Sequence, residues 1–174
     1  MYKLLIFDVD GTLADMKTGE LLPGVAEFFE MMPEWEERYA IATNQGGVAL
    51  RYWMETDGFG EPAVFPTEEA ARAHVDGVVG KIGREFDVHI CFAYQSKRTG
   101  KWAPMPSSGP EWEAENRKPN PGMLLAAMEA AGVTYGRDVL MIGDGDEDEL
   151  AALRAGVTFV HADVFFERGG GSTS

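Results

Sequence analysis

One cysteine in 174 residues leaves this chain no internal disulfide framework and no Cys-rich zinc site, and it suits a reducing compartment. No apolar run approaches the ~20 residues of a membrane span, and the first residues lack the charged-then-apolar layout of a signal peptide. Basic residues are scarce as well: 15 Lys and Arg stand against 29 Asp and Glu, a formal net charge of -14. So acidic a surface repels phosphate backbones and disfavours non-specific binding to long nucleic acids. No Gly-x-Ser-x-Gly elbow offers a serine nucleophile, and His74, His89 and His161 show no ligand spacing. What is present is ordinary globular composition, 45% hydrophobic and 25% charged, which argues against disorder. The length suits one domain, expected over 1–168, that buries a core without disulfides or a structural metal. Gly169 to Ser174 reads as a flexible tail. A cytoplasmic protein with no membrane partner is the expectation.

Short apolar runs alternate with helical periodicity along the chain. Lys3 to Phe7 stops abruptly at Asp8 and Asp10, and its length and the Gly11 turn favour a buried strand. Val25, Phe28, Phe29 and Met32 recur at helical spacing up to Pro33. Tyr39 to Ala42 is the second strand, followed by a helix from Val48 to about Thr56. Pro66-Thr67 opens the longest helix, with Ala71, Val75, Val78, Val79, Ile82 and Phe86 on one stripe. Val88 to Tyr94 predicts a third strand, and 95–118 a long irregular loop of functional length. Asn120 as cap and Pro121 at the first helical position start a helix that Gly132 ends. Val139 to Ile142, Glu147 to Arg154 and Val157 to Val160 complete the pattern as strand, helix and strand. Continuous apolar strands alternating with helices predict an α/β, doubly wound, Rossmann-like parallel sheet of about five strands with helices on both faces. In such sheets ligands bind beyond the carboxyl ends of the strands.

Three of those ends are polar: Asp8-Val9-Asp10-Gly11-Thr12, Thr43-Asn44-Gln45, and Gly143-Asp144-Gly145-Asp146-Glu147-Asp148. Neighbouring strands would crowd these carboxylates into one volume, where like charges raise one another's pKa unless a cation neutralises them. Oxygen ligands suit Mg²⁺, which shares its coordination with waters and phosphate. A magnesium-dependent phosphoryl-transfer site follows. An EF-hand does not, because Glu149 stands where the calcium loop needs glycine.

These segments resemble the haloacid dehalogenase superfamily. Asp8-Val9-Asp10-Gly11-Thr12 looks like its first motif, Thr43 its second, Lys118 in Arg117-Lys118-Pro119 its third, and Gly143-Asp144 with Asp148 its fourth. The resemblance spans nearly the whole chain. It implies Asp8 as a nucleophile forming an aspartyl-phosphate, and Asp10 as the acid and then base. It implies that Thr43 bonds the phosphoryl oxygens and Lys118 offsets their charge. Mg²⁺ would be held by Asp8, Asp144 and the Asp10 main-chain carbonyl, with Asp148 orienting its waters or Lys118. Asp10 also favours ester hydrolysis, since dehalogenating members lack that second carboxylate.

Within the superfamily, Thr43-Asn44-Gln45 and the run from Arg117 to Met123 are similar to the histidinol-phosphate, heptose bisphosphate and polynucleotide 3'-phosphatase branch. The stretch between Asp10 and Val25 is too short for a helical cap, so no large cap domain is expected. Two departures stand out. Bacterial sugar and histidinol members often hold zinc in a Cys/His loop before the third motif, where this chain has Cys91 alone; zinc is not expected. Those members also commonly carry Arg where this chain has Val9.

Asn44, Gln45, Arg51 and Arg117 are the candidate substrate-binding residues, with two readings open at several of them. Asn44 either holds its loop or meets substrate, and Arg51 either meets substrate or is a solvated helix residue. Lys97, Arg98, Lys101 and Arg117 make the 95–118 region basic, for solubility or as an attractor for an anion. Trp102 and Trp112 either stack on a base or sugar or pack the loop down. Cys91 reads as an inert buried thiol. The preferred function is hydrolysis of a small phosphorylated metabolite such as a sugar phosphate. A 3'-phosphatase on nucleic-acid ends and a non-catalytic binding module of the same fold are the alternatives.

Overall fold

The structure is a computed structural model and describes residues 1–32 and 38–169. The expected stop at Pro33 and all but the first residue of the expected tail lie outside the described residues. Five strands form one sheet: β1 (Leu4–Phe7), β2 (Arg38–Asn44), β3 (Asp87–Cys91), β4 (Val139–Gly143) and β5 (Thr158–His161). Their order is β3-β2-β1-β4-β5 and every pairing is parallel. The helices are α1 (Val25–Met31), α2 (Gly47–Asp57), α3 (Glu68–Ile82), α4 (Gly122–Ala131), α5 (Asp146–Ala155) and the short α6 (Ala162–Phe165). This is the doubly wound α/β sheet the sequence predicts. Among the described residues no helix is long and apolar enough to cross a membrane.

Side chains alternate across a strand, so β1 feeds both faces of the sheet. Leu5 and Phe7 join one core with Val25, Phe29, Val75 and Val78. Leu4 and Ile6 join the other with Met123, Leu124, Ala127, Met141 and Ala151. The first core is aromatic: Phe7, Phe28, Phe29, Tyr39, Phe86, Phe165 and Phe166 meet in tilted, edge-on and stacked pairs with centroids 4.9–6.5 Å apart. Such offset geometries suit the ring quadrupole. α6, which the sequence reading did not foresee, brings Phe165 to this cluster, and Phe166 follows it.

Three expectations are corrected. Gly83, at φ 70, closes α3 before Phe86, whose ring still packs 5.6 Å from Phe29. Pairing of β3 stops at Cys91 opposite Asn44, the last residue of β2, so Phe92 to Tyr94 have no strand beside them. Phe92 N–H donates instead to Glu111 O at 2.6 Å. α4 begins at Gly122 with Pro121 at the cap position, and the Asn120 amide donates to Ala114 O (2.9 Å) rather than capping. The 95–118 region is partly ordered. A small hairpin pairs Gln95 with Trp102, and short 3-10 turns run over Pro110–Trp112 and Ala114–Asn116. Trp112 is buried, its ring 5.2 Å from Phe92, which settles it as packing; Trp102 stays exposed.

Candidate active site

β1 lies between β2 and β4, with Phe7 opposite both Ile41 and Ile142. Three adjacent strands therefore release their polar segments at one edge. Asp8 N–H still donates to Ile142 O (3.0 Å), so Asp8 leaves the sheet with its position fixed. Beyond it the chain turns tightly: the N–H groups of Thr12, Leu13 and Ala14 all donate to Val9 O. The Val9 side chain is wholly buried in the aromatic core, pointing away from the carboxylates. Gly11 sits in the left-handed region at φ 79, which favours glycine, and a Cβ there would also displace the Asp144 carboxylate.

The floor of the site is a charge cluster. Lys118 is 2% exposed, and its Nζ donates to Asp8 Oδ1 (2.8 Å) and Asp148 Oδ1 (2.6 Å). Asp148, at the third position of α5, also takes the Asp144 and Gly145 N–H groups on Oδ2 (3.1 and 3.2 Å), satisfying donors that a helix start leaves free. Both its oxygens are engaged, so Asp148 holds Lys118 and the Asp144 loop in place. Burial works against the Lys118 charge, yet Asp8 and Asp148 outweigh it and hold the ammonium above its ordinary value. Asp8 is pushed up to about 7, mainly by burial, with Lys118 opposing and Asp148 and Asp144 adding. Burial, then Asp148, also raises Asp144, which stands open to solvent.

Asp8, Asp144 and Asp148 bring carboxylate oxygens within 4.8 Å of one another. Three carboxylates share a single ammonium there, an excess of negative charge in one small volume. A hard divalent cation relieves such an excess, so this donor set fits Mg²⁺.

Asp10 is handled differently. Its side chain turns from the cluster toward Gln45, whose Nε2 donates to Oδ2 (2.9 Å), and toward His74, whose Nε2 lies 2.7 Å from Oδ1. Gln45 also donates to the hydroxyl of buried Thr43 (3.0 Å). Asn44 holds its neighbours: its amide donates to Lys118 O (2.9 Å) and its oxygen accepts from Lys118 N–H (3.0 Å). The structure does not bring Arg51 or Arg117 to the cluster. Arg51 is occupied by Glu55 and Phe65 O, and Arg117 by Ala93 O and the Tyr94 ring. In this structure both arginines brace neighbouring backbone. Cys91 is buried and its thiol pushed up to about 11 by burial, in keeping with an inert role.

A cavity of about 370 Å³ opens above Asp8, Asp10, Lys118 and Asp144, with Lys97 and Glu147 on its rim. A larger depression of about 1020 Å³ lies at the other end of the sheet, by Leu4, Arg38 and Asp87. It has no converging buried charges, and chemistry rather than size marks the smaller one as the site. Three contributors escaped the sequence reading. His74 shares the α3 stripe with Ala71 and Val78, three and four residues away, and a histidine on an apolar face was its signal. Glu147 joins Lys97 (3.3 Å) to the Asn44 amide (3.4 Å). Arg168, whose guanidinium donates to Thr12 O (2.5 Å) and Pro23 O (2.8 Å), clamps the turn after Asp8 and left no signal at all.

A parallel sheet with clustered carboxylates at the end of its central strand is an arrangement suited to phosphoryl transfer, and comparison with known proteins gives the family. The HAD-hydrolase-like family profile matches residues 115–162. The chain is 30% identical over 162 residues to D-glycero-beta-D-manno-heptose-1,7-bisphosphate 7-phosphatase of Pseudomonas putida, covering 88% of this chain and 78% of that one. It is 28% identical over 152 residues to the D-glycero-alpha-D-manno-heptose-1,7-bisphosphate 7-phosphatase of Burkholderia mallei, covering 85% and 69%. A solved structure from Mesorhizobium loti, provisionally named a HAD-like phosphatase, shares the fold with a TM-score of 0.60 at 24% identity, over 90% and 69% of the two chains. The chain belongs to the haloacid dehalogenase superfamily and is a phosphatase of that superfamily.

Proposed function

We propose that this phosphatase hydrolyses the phosphomonoester of a small sugar through an aspartyl-phosphate on Asp8, with Mg²⁺ held by Asp8, Asp144 and the Asp10 main-chain carbonyl. One observation carries the reading: two carboxylates two residues apart sit in opposite surroundings. Asp8 is buried against Lys118, and Asp10 is held by Gln45 and His74. Environments that separate two acids in this way separate their roles.

In the first step an Asp8 oxygen bonds to phosphorus as the bond from phosphorus to the sugar oxygen breaks, and Asp10 gives that oxygen its proton. In the second, a water oxygen bonds to phosphorus, the Asp8–phosphorus link breaks, and the water's proton passes to Asp10. Both side chains return to their starting forms. Thr43 hydrogen-bonds the phosphoryl group and Lys118 offsets charge on it and on Asp8. The bound ion supplies further charge neutralisation at the phosphoryl oxygens. The sugar class is supported by the two heptose bisphosphate phosphatase relatives.

The test is hydrolysis of an aryl phosphate, a panel of sugar mono- and bisphosphates and an oligonucleotide 3'-phosphate, with and without Mg²⁺. Sugar phosphates should turn over best, only with Mg²⁺, and Asp8→Asn should lower every rate by roughly a thousandfold or more. Preference for the oligonucleotide would move the substrate to nucleic-acid ends. A wild-type protein inert toward every ester would leave a binding module.

A further inference from the structure

His74 lies outside all four motif segments, on a helix that does not itself line the cavity. Its Nε2 nevertheless stands 2.7 Å from Asp10 Oδ1, while Gln45 donates to Oδ2 at 2.9 Å. The contact is a hydrogen bond in either direction: Nε2–H donates to an ionised Asp10, and a bare Nε2 accepts from a protonated one. The ring is seated from the other side too. Gly19 lies beside it, close enough that a Cβ there would fall 3.5 Å from Nδ1. Lys81, two turns further along α3, ties that loop down by donating to Gly19 O (2.8 Å) and Glu20 (3.1 Å). Thr67 caps the start of α3 through Ala70 N–H, and Ala71, Val75 and Val78 bury its inner face. The histidine is thus presented by a rigid helix and pinned by a loop, with its side chain only 21% exposed.

We propose that His74 is a positioning residue for Asp10, fixing the carboxyl in the rotamer that meets the leaving oxygen. The proposal rests on the reading of Asp10 as the acid. Asp10 leaves β1 on a turn of its own, so hydrogen-bond partners on both its oxygens define its orientation where one would leave it free to rotate. Poor leaving groups need the proton that Asp10 delivers, and good ones depart without it. Loss of His74 should therefore be felt in proportion to the leaving group.

The experiment compares kcat/KM, which reports steps up to departure of the leaving group, for a sugar phosphate and for an activated aryl phosphate. For His74→Ala the ratio of sugar to aryl kcat/KM should fall about tenfold or more. His74→Gln, which keeps an amide donor, should restore most of that ratio, and it serves equally should the alanine variant fold poorly. A loss equal for both substrates, or an unchanged ratio, overturns the proposal. Asp10→Asn is measured alongside. If it lowers the ratio and His74→Ala does not, only the positioning role fails. If Asp10→Asn also leaves the ratio unchanged, the acid assignment itself is wrong.

Discussion

The floor and the rim of the cavity are built on opposite principles. On the floor, Asp8, Lys118 and Asp148 are buried, and every bond is to another group in the set or to fixed backbone. On the rim, Lys97 at the hairpin is 86% exposed and makes one ion pair, to Glu147. Buried charges punish the loss of any partner, whereas exposed pairs contribute little. The floor is therefore suited to chemistry that must not vary, and the rim to recognition that can.

The contrast is broken most severely at Lys118. Lys118→Met leaves two buried carboxylates without their cation and should destabilise the protein by about 3–5 kcal/mol, read by denaturant unfolding. A cost below about 1 kcal/mol would mean that water reaches the floor.

The next effect is in pH. Burial pushes the Asp8 carboxyl up to about 7 in the folded protein from an ordinary 3.8. Its protonated form is the one folding favours, so that contribution is full below 3.8 and is lost as pH rises through 7. Without divalent ions, Tm should carry a component that falls over this window, and Asp8→Asn should remove it. Mg²⁺ needs the ionised carboxylate, so the Tm gain it brings should grow from pH 5 to pH 8. A gain independent of pH would place the ion elsewhere.

The smallest effect is expected at the rim. Lys97→Glu should raise KM for an anionic sugar a few-fold with kcat and stability nearly unchanged, and added salt should narrow the difference. A collapse of kcat would show that the hairpin belongs to the floor.

Much of this was legible beforehand, for identifiable reasons. Apolar runs on β1, β2 and β4 specify a buried parallel sheet, and abrupt polar ends locate the site, because strand register is fixed by the same apolar pattern. Asp8, Asp10, Thr43, Lys118, Asp144 and Asp148 do gather at one edge. What the sequence hid was partnership across long separations. His74 meets Asp10 and Arg168 meets Thr12 only because α3 and the residues after α6 pack beside the first loop. Arg51 and Arg117 show the same limit from the other side: sequence places a cation near a motif but not the backbone carbonyl it contacts.

The most direct measurement traps the covalent step. The protein is mixed with an aryl phosphate and Mg²⁺, quenched in acid within one turnover, and its peptides are weighed. One phosphoryl group should appear on the peptide carrying Asp8 and be missing from Asp8→Asn. Turnover by the wild-type protein with no phosphoryl group on that peptide, or with the group on another side chain, would contradict the account.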